Sequence, residues 1–157
     1  MQESAELDAV TDAVLVASRV LVAVAARSLA AVSDDVTLPQ YRAMVVLASR
    51  GPQLMGALAE HLDVNPSTAS RLCDRLVRKH LVSRNPPPTS RREVEITLTD
   101  AGRRVIDMVT TKRRQEIARI ISGIPPRRRT QLVDALQAFG TAAGEVPEQA
   151  WSLGWSS

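Results

Sequence analysis

Cysteine, histidine and aromatic residues are scarce in this sequence of 157 residues. The single cysteine, Cys73, excludes an intrachain disulfide, and two histidines leave too few ligands for a typical structural zinc site. Aromatic residues make up only 3% of the chain, so the core has to be built from Leu, Val, Ile and Ala, which favours packed helices over a β-sandwich. A chain this short also excludes a large multidomain enzyme.

The most apolar stretch, residues 13–32, is long enough to span a bilayer. It contains Arg19 and Arg27, and each arginine costs about 2.5–3.5 kcal/mol near a membrane centre, so we expect a buried helix and no membrane partner. The preceding residues are acidic where a secretory signal would be positive: Glu3, Glu6, Asp8 and Asp12. These features, with the low cysteine content, favour a cytoplasmic protein.

The net charge of +3 is uninformative, but the charges are unevenly distributed. Acidic residues outnumber arginines in residues 1–38, whereas residues 66–92 are strongly basic and contain one acidic residue, Asp74. A local basic patch of this kind indicates a polyanionic partner.

Helical periodicity predicts one long helix over residues 7–32. Between residues 20 and 26 its apolar side chains cover almost every side, so we expect a partner subunit to cover it. Helix start and stop signals predict five further helices, at residues 39–49, 54–61, 66–79 and 100–121 and in a last segment that ends near residue 143. Residues 82–84 and 92–98 have strand character and flank a proline-rich segment, which predicts a β-hairpin.

Two short helices, a turn at residues 63–65 and this hairpin predict a helix-turn-helix with a wing, in which the second helix enters the DNA major groove. Asn65 and Pro66 form the clearest helix start in the chain. Helical spacing directs one face of the second helix into the core: Ala69, Leu72, Cys73 and Leu76. The opposite face is hydroxylic and basic, which suits phosphates and guanine edges: Ser67, Thr68, Ser70, Arg71, Asp74, Arg75 and Arg78.

A basic helix face is often merely solvated, and that is the alternative to a DNA-binding surface. Three features together favour DNA: the Asn–Pro helix start, the outward hydroxyl and arginine side chains, and the arginines of the hairpin, Arg84, Arg91 and Arg92.

Several motifs carry a resemblance to a known family. They are LAEHLDVNPSTASRLCDRLV at residues 58–77, LVSR at residues 81–84, Arg91-Arg92, and LTDAG at residues 98–102. With these motifs the chain resembles the MarR family of bacterial transcription regulators from about residue 7 to residue 139. The resemblance implies a homodimer in which the N- and C-terminal helices of both subunits interleave, and each subunit presents one winged helix-turn-helix to half of a palindromic operator.

The resemblance also implies roles for individual residues. Five would lie in the major groove: Ser67, Thr68, Ser70, Arg71 and Arg75. Arg91 or Arg92 would reach a minor groove from the wing, and Arg84 would belong to the same DNA-binding set. Asp74 matches an acid that in the family often pairs with a wing arginine, so its implied role is to position the wing.

The chain departs from the family pattern at two positions. Ser90 stands where relatives commonly carry Asp before the paired arginines, which puts the anchoring of the wing tip in question. Lys79 and His80 stand where many relatives have Gly after the recognition helix. We therefore expect His80 to adopt a left-handed cap, a conformation in which His is enriched.

The predicted fold is mainly α with a small β-hairpin wing. Residues 1–38 and 100–143 would form dimerisation helices, residues 39–99 the winged helix-turn-helix DNA-binding lobe, and residues 144–157 a C-terminal tail. The predicted function is a dimeric DNA-binding repressor that a small aromatic or phenolic effector releases; the alternative is a winged-helix module that binds DNA or protein without a ligand switch. No nucleophile–base pair, phosphate loop or metal cluster is recognisable, so we expect no enzyme, metal or cofactor.

Cys73 and the two tryptophans remain to be interpreted. Some relatives use cysteine oxidation to release DNA, but the inward helical position of Cys73 favours a structural role. Trp151 and Trp155 lie four residues apart, so they would either pack on the partner subunit, which we expect, or fray.

Overall fold

A computed structural model of the protein describes residues 1–151, apart from the side chain of Gln149. Within this range it contains six α-helices and three short strands, which confirms the predicted mainly α class. In chain order the elements are α1 (Gln2–Ala30), α2 (Leu38–Arg50), β1 (Gln53–Leu54), α3 (Met55–His61), α4 (Pro66–Arg78), β2 (Val82–Asn85), β3 (Glu95–Leu98), α5 (Asp100–Ser122), α6 (Pro126–Ala142) and a 3₁₀ turn (Glu148–Ala150).

Side-chain caps set the start of the central helices. Thr37 and Gln40 form a reciprocal capping box at α2, in which each side-chain oxygen accepts a hydrogen bond from the other residue's backbone N–H. Thr99 Oγ1 accepts a hydrogen bond of 3.0 Å from the backbone N–H of Gly102 at the start of α5. The first helix begins at Gln2, five residues before the predicted start, because neither Gly nor Pro interrupts the chain there.

The sheet differs from the predicted hairpin in two respects. Its strand order is β1-β3-β2 with all pairs antiparallel, so β1 adds a third strand through Gln53 opposite Ile96. The last strand begins at Glu95 rather than at the predicted Arg92. Arg91 and Arg92 therefore lie in the loop of the hairpin, whose pairing register runs from Val82–Leu98 to Asn85–Glu95.

The core surrounds α2, which has nine buried residues among its 13. Buried side chains from α4, the sheet and α5 pack against it, among them Cys73, Leu76, Ile96 and Ile106. At the start of α5 the backbone of Gly102 approaches the sheet so closely that a Cβ there would lie 2.6 Å from Leu98 Cδ1 and closer still to the carbonyl oxygen of Leu81. The start of α5 is thereby fixed against the strands that it follows.

The first and last helices have few buried residues. Val24, Ser28 and Leu29 are the buried residues among the 29 of α1, and none of the 17 residues of α6, all of which the structure describes, is buried. Large apolar side chains are exposed on both helices: Leu7, Val10, Leu15, Val16, Val20, Leu21 and Val22 on α1, and Val133, Leu136 and Phe139 on α6. By length and composition alone α1 could cross a membrane, a test that core helices of soluble proteins also pass.

Candidate nucleic-acid interface

A tight turn places α3 and α4 in the helix-turn-helix arrangement. Asp63 adopts a left-handed conformation with φ 52°, which Asp tolerates better than most residues. The backbone N–H of Val64 donates a hydrogen bond of 3.1 Å to Ala59 O, and Asn65 Oδ1 accepts one of 2.8 Å from the N–H of Thr68 to start α4. These bonds fix the direction in which α4 leaves the core.

The two faces of α4 divide largely as predicted. Ala69, Cys73 and Leu76 are buried, whereas Leu72 is only half-buried. The opposite face contains four exposed residues, namely Ser67, Arg71, Arg75 and Arg78, and three half-buried ones, namely Thr68, Ser70 and Asp74. The exposed residues form the part of α4 that a second molecule can reach.

Local hydrogen bonds order the first turn of α4. Ser67 Oγ donates a hydrogen bond of 2.7 Å to the capping carboxamide of Asn65. Arg71 Nη2 donates one of 3.4 Å to Thr68 Oγ1, so this guanidinium lies over the helix start. Within residues 1–151 the side chain of Arg75, one turn further on, makes neither a hydrogen bond nor an ion pair. Both arginines thus retain unused donors on the exposed face.

Arg84 of β2 connects the hairpin to α4. Its Nη1 donates to the Asp74 carboxylate, and its Nη2 donates a hydrogen bond of 3.0 Å to Ser70 Oγ. The structure thus pairs Asp74 with an arginine of strand β2 rather than with one at the tip of the hairpin. Arg91 and Arg92 at the tip are exposed and have no ion pair within the described part of the chain.

The wing tip is ordered without the acid that relatives commonly carry. Ser90 Oγ accepts a hydrogen bond of 3.3 Å from the backbone N–H of Arg92, and the backbone N–H of Ser90 donates one of 3.2 Å to Pro87 O. Pro87 itself is buried. A serine hydroxyl can thus order the backbone before the two arginines, a role that the family pattern alone did not suggest.

The predicted left-handed cap after α4 is confirmed. His80 has φ 57°, its backbone N–H donates to Val77 O, and the N–H of Leu81 donates to Leu76 O. This is the Schellman pattern of bonds, which most often places Gly at the left-handed position. His80 occupies that position and directs the chain from α4 into β2.

The thiol of Cys73 lies inside the core, as its helical position predicts. Burial raises the pKa of this thiol from 9.0 to about 11, and Arg84, which lowers the pKa, only partly opposes that effect. Because the thiolate is the reactive form, the thiol is poorly suited to oxidative sensing. Within the part of the chain that the structure describes, no three His, Cys, Asp or Glu residues cluster in a way that could hold a metal ion.

Trp151 contacts its own chain, and its packing on a partner subunit stays a prediction. It is half-buried against the core of its own chain, and its Nε1 donates a hydrogen bond of 3.0 Å to Val146 O. The expectation for Trp155 lies outside the described residues.

Comparison with known proteins identifies the family. The profile of the MarR family matches residues 36–94, which include the helix-turn-helix, strand β2 and the loop of the hairpin. The crystal structure of RV1404 from Mycobacterium tuberculosis is 48% identical, has a TM-score of 0.85, and is matched over 90% of this chain and 97% of that one. The chain belongs to the MarR family. This is a family of transcription regulators rather than enzymes, and its winged helix-turn-helix is the fold described above.

Two other relatives of this MarR-family chain are informative. The transcriptional repressor MdtR from Bacillus subtilis is 28% identical over 70% of this chain and 71% of its own length. NadR, solved in complex with 4-hydroxyphenylacetate, shares the fold with a TM-score of 0.63 at 20% identity, over 83% of this chain and 91% of that one. The chain spans 47% and 66% of the lengths of two further curated Bacillus subtilis regulators that it matches.

Proposed function

We propose that the protein is a dimeric, sequence-specific DNA-binding repressor that leaves its operator when a small molecule binds. The observation that carries this proposal is the exposed arginine face of α4, whose opposite face is fixed in the core. Residues 39–99 form the DNA-binding lobe in this proposal. MdtR, a named repressor among the relatives, supports the direction of regulation, and the site of action is the cytoplasm.

In the proposed complex α4 lies in the major groove. Arg71 and Arg75 are one helical turn apart on its exposed face, so both guanidinium groups can reach base edges or phosphates. Ser67 is exposed at the helix start and suits a phosphate contact. Thr68 and Ser70 are half-buried and already bonded to arginines, so they also hold those arginines in place.

The wing contributes a second contact. Arg91 and Arg92 are exposed at its tip and suit the negative potential of a minor groove. Arg84 is held by Asp74 and Ser70. In this proposal it therefore aligns the wing with α4, and Asp74 is the wing-positioning acid.

A second copy of the same chain covers the exposed apolar surface. Residues 1–38 and 100–143 contain most of the exposed large apolar side chains, and such contiguous surfaces mark interfaces. Two subunits related by a two-fold axis would place their α4 helices about 34–36 Å apart, as successive half-sites of a palindromic operator require. Residues 144–157 form the C-terminal tail of each subunit.

The effector would be a small aromatic or phenolic molecule. NadR, a structural neighbour, was solved with 4-hydroxyphenylacetate, and this chain has a cavity between α2 and α5. The alternative, a winged-helix module without a ligand switch, predicts that no such compound changes operator affinity or the melting temperature.

Genomic footprinting with the purified protein gives the operator, and binding to that operator tests the interface. Arg71→Ala or Arg75→Ala should weaken specific binding by about 1–3 kcal/mol without altering thermal unfolding, because both side chains point away from the core. Arg128→Ala is the matched control, since Arg128 is exposed on α6 and its loss removes the same charge. Analytical ultracentrifugation checks that this variant has the same oligomeric state as the parent. Unchanged affinity in both α4 variants would contradict the proposal.

A further inference from the structure

A cavity of about 390 Å³ lies between α2, α5 and the end of the described chain. Its lining combines an apolar wall with three arginines, Arg42, Arg113 and Arg114, and with two acids of the chain end, Glu145 and Glu148. The volume is within the range of small-molecule sites.

Two side chains that line the cavity each have a polar group without a partner in the described chain. Tyr41 is only 5% exposed, and within residues 1–151 its hydroxyl makes no hydrogen bond. Buried hydroxyls are nearly always bonded, so one that is not requires an explanation. Arg113 is half-buried and, in the same range, has neither an ion pair nor a hydrogen bond. A hydroxyl and a cation without partners beside an apolar wall suit a ligand with an anionic group and an apolar body.

The outer wall of the cavity is formed by residues 144–151, here named the C-terminal strap. Gly144, with φ 70°, turns the chain away from α6, and its carbonyl oxygen accepts a hydrogen bond of 3.0 Å from Arg50 Nη2. Trp151, at the other end, packs against the core and donates to Val146 O. The strap therefore runs across the opening between two anchored ends.

Between those ends, two carboxylates of the strap bind two of the cavity arginines. Glu145 accepts hydrogen bonds of 2.8 and 3.2 Å from Arg42, and Glu148 accepts one of 2.8 Å from Arg114. All four side chains are at least 44% exposed. Ion pairs this exposed are weak and are screened by salt, so an incoming anion can displace them; release of the strap then also removes Trp151 from the edge of the core against which it packs.

We propose that the C-terminal strap is an internal competitor for this cavity. Glu145 and Glu148 neutralise Arg42 and Arg114 until a small organic carboxylate enters, binds Arg113 through its anionic group and displaces the strap. The Tyr41 hydroxyl, which is inaccessible while the strap is in place, can then donate a hydrogen bond to the bound carboxylate. This deepens the proposed function and rests on its effector response for any consequence at the operator. The competition itself is measurable in the absence of DNA.

The test uses the full chain with Trp155→Phe, so that Trp151 is the single indole. Benzoate, phenylacetate and 2-naphthoate are the probes, and their neutral amides are the controls. At least one carboxylate should red-shift the emission of Trp151 in a saturable way, whereas its amide should not. Glu145→Gln with Glu148→Gln should tighten carboxylate binding about three- to tenfold, the scale of two exposed ion pairs. Arg113→Gln should weaken it more than about tenfold.

Glu93→Gln is the matched control for charge, because Glu93 is exposed on the hairpin, and calorimetric titration confirms each affinity. If no carboxylate binds, or if binding is equal in the Glu145/Glu148 variant and the parent, the competition is refuted. Glu148→Gln alone repeats the test should the double variant misfold. Trp151 emission that responds to a carboxylate without a change in operator affinity supports the strap and contradicts the effector function. Operator release without a change in Trp151 emission supports the effector function and contradicts the strap.

Discussion

Helices α2 and α6 are of similar length and both have proline in the first turn, yet their surroundings differ completely. The shorter, α2, has nine buried residues among 13, whereas α6 has none among 17, all of them described. The apolar residues of α6, Val133, Leu136 and Phe139, follow helical spacing as clearly as those of α2. Apolar periodicity thus shows that a face will be covered, but not which chain covers it.

The same contrast divides the whole molecule. Residues 38–110 hold most of the core that this chain completes by itself, whereas α1 and α6 present apolar surface that it leaves open. If a second copy covers that surface, the stability of the outer helices depends on protein concentration and that of the core does not.

The largest effect should come from placing a charge on the open surface. Leu136→Asp should weaken dimerisation by about 4–6 kcal/mol, because a two-fold interface contains each substitution twice and each leucine loses its burial. Analytical ultracentrifugation measures the change. Gln131→Asp, on an exposed polar position of α6, is the control, and an undisturbed dimer in Leu136→Asp would refute the proposed interface.

Truncation of a core side chain should lower the free energy of unfolding by the same amount at every protein concentration. Met44 is fully buried in α2, so Met44→Ala should lower the free energy of unfolding by about 2–5 kcal/mol. Phe139→Ala on α6 should lower it by an amount that grows with protein concentration. Urea unfolding at two concentrations separates the two cases, and identical behaviour of the two variants would remove the distinction between the regions.

The stability of the core should also decrease at alkaline pH, because the buried thiol of Cys73 ionises there. Burial raises its pKa from 9.0 to about 11, so the folded state retains the thiol proton that the unfolded chain has lost. This contribution to stability is complete below pH 9 and is lost as pH rises towards 11, at most about 3 kcal/mol. Urea unfolding of the parent should show this decline and Cys73→Ala should not. Equal pH dependence in both would show that the thiol is not the cause.

Substitution of two glycines by alanine should give the smallest of the four changes in stability. A Cβ at Gly102 would lie 2.6 Å from Leu98 Cδ1 and closer to the carbonyl of Leu81, so Gly102→Ala should cost about 1–3 kcal/mol. Apart from its chain neighbours and the backbone of its own helix, no atom of the described chain lies within 4 Å of a Cβ built at Gly140 on α6. Within a single subunit, Gly140→Ala should therefore be neutral or stabilise the helix by up to about 1 kcal/mol. Thermal unfolding compares them, and a destabilised Gly140→Ala would show that α6 is packed at that point.

Features specified by neighbouring residues could be predicted from the sequence. The start of α4 at Asn65-Pro66, the cap of α5 at Thr99 and the left-handed His80 each depend on a few adjacent residues, and all agree with the structure. The two-residue β1 was missed because its hydrogen-bonded partner, Ile96, is distant in the sequence.

Ion pairs between residues on different helices and strands were also not predicted from the sequence. The family resemblance implies that Asp74 pairs with a wing arginine, but the choice of Arg84 over Arg91 or Arg92 depends on the register of β2 against α4. The strap acids Glu145 and Glu148 gave no signal beyond their charge, because the arginines they meet lie on α2 and α5. The predicted major-groove contacts of α4 remain predictions.

The close approach at Gly102 also has a mechanical consequence. With its first turn fixed against the strands, the 23-residue α5 would move as a rigid helix about 35 Å long. If this helix tilts by about 5° about one of its ends, the other end moves by about 3 Å, close to the 3.4 Å rise between successive bases on one strand. A tilt of a few degrees at the far end of α5 would thus be large enough to shift α4 and the wing by about one base step relative to the DNA they would read.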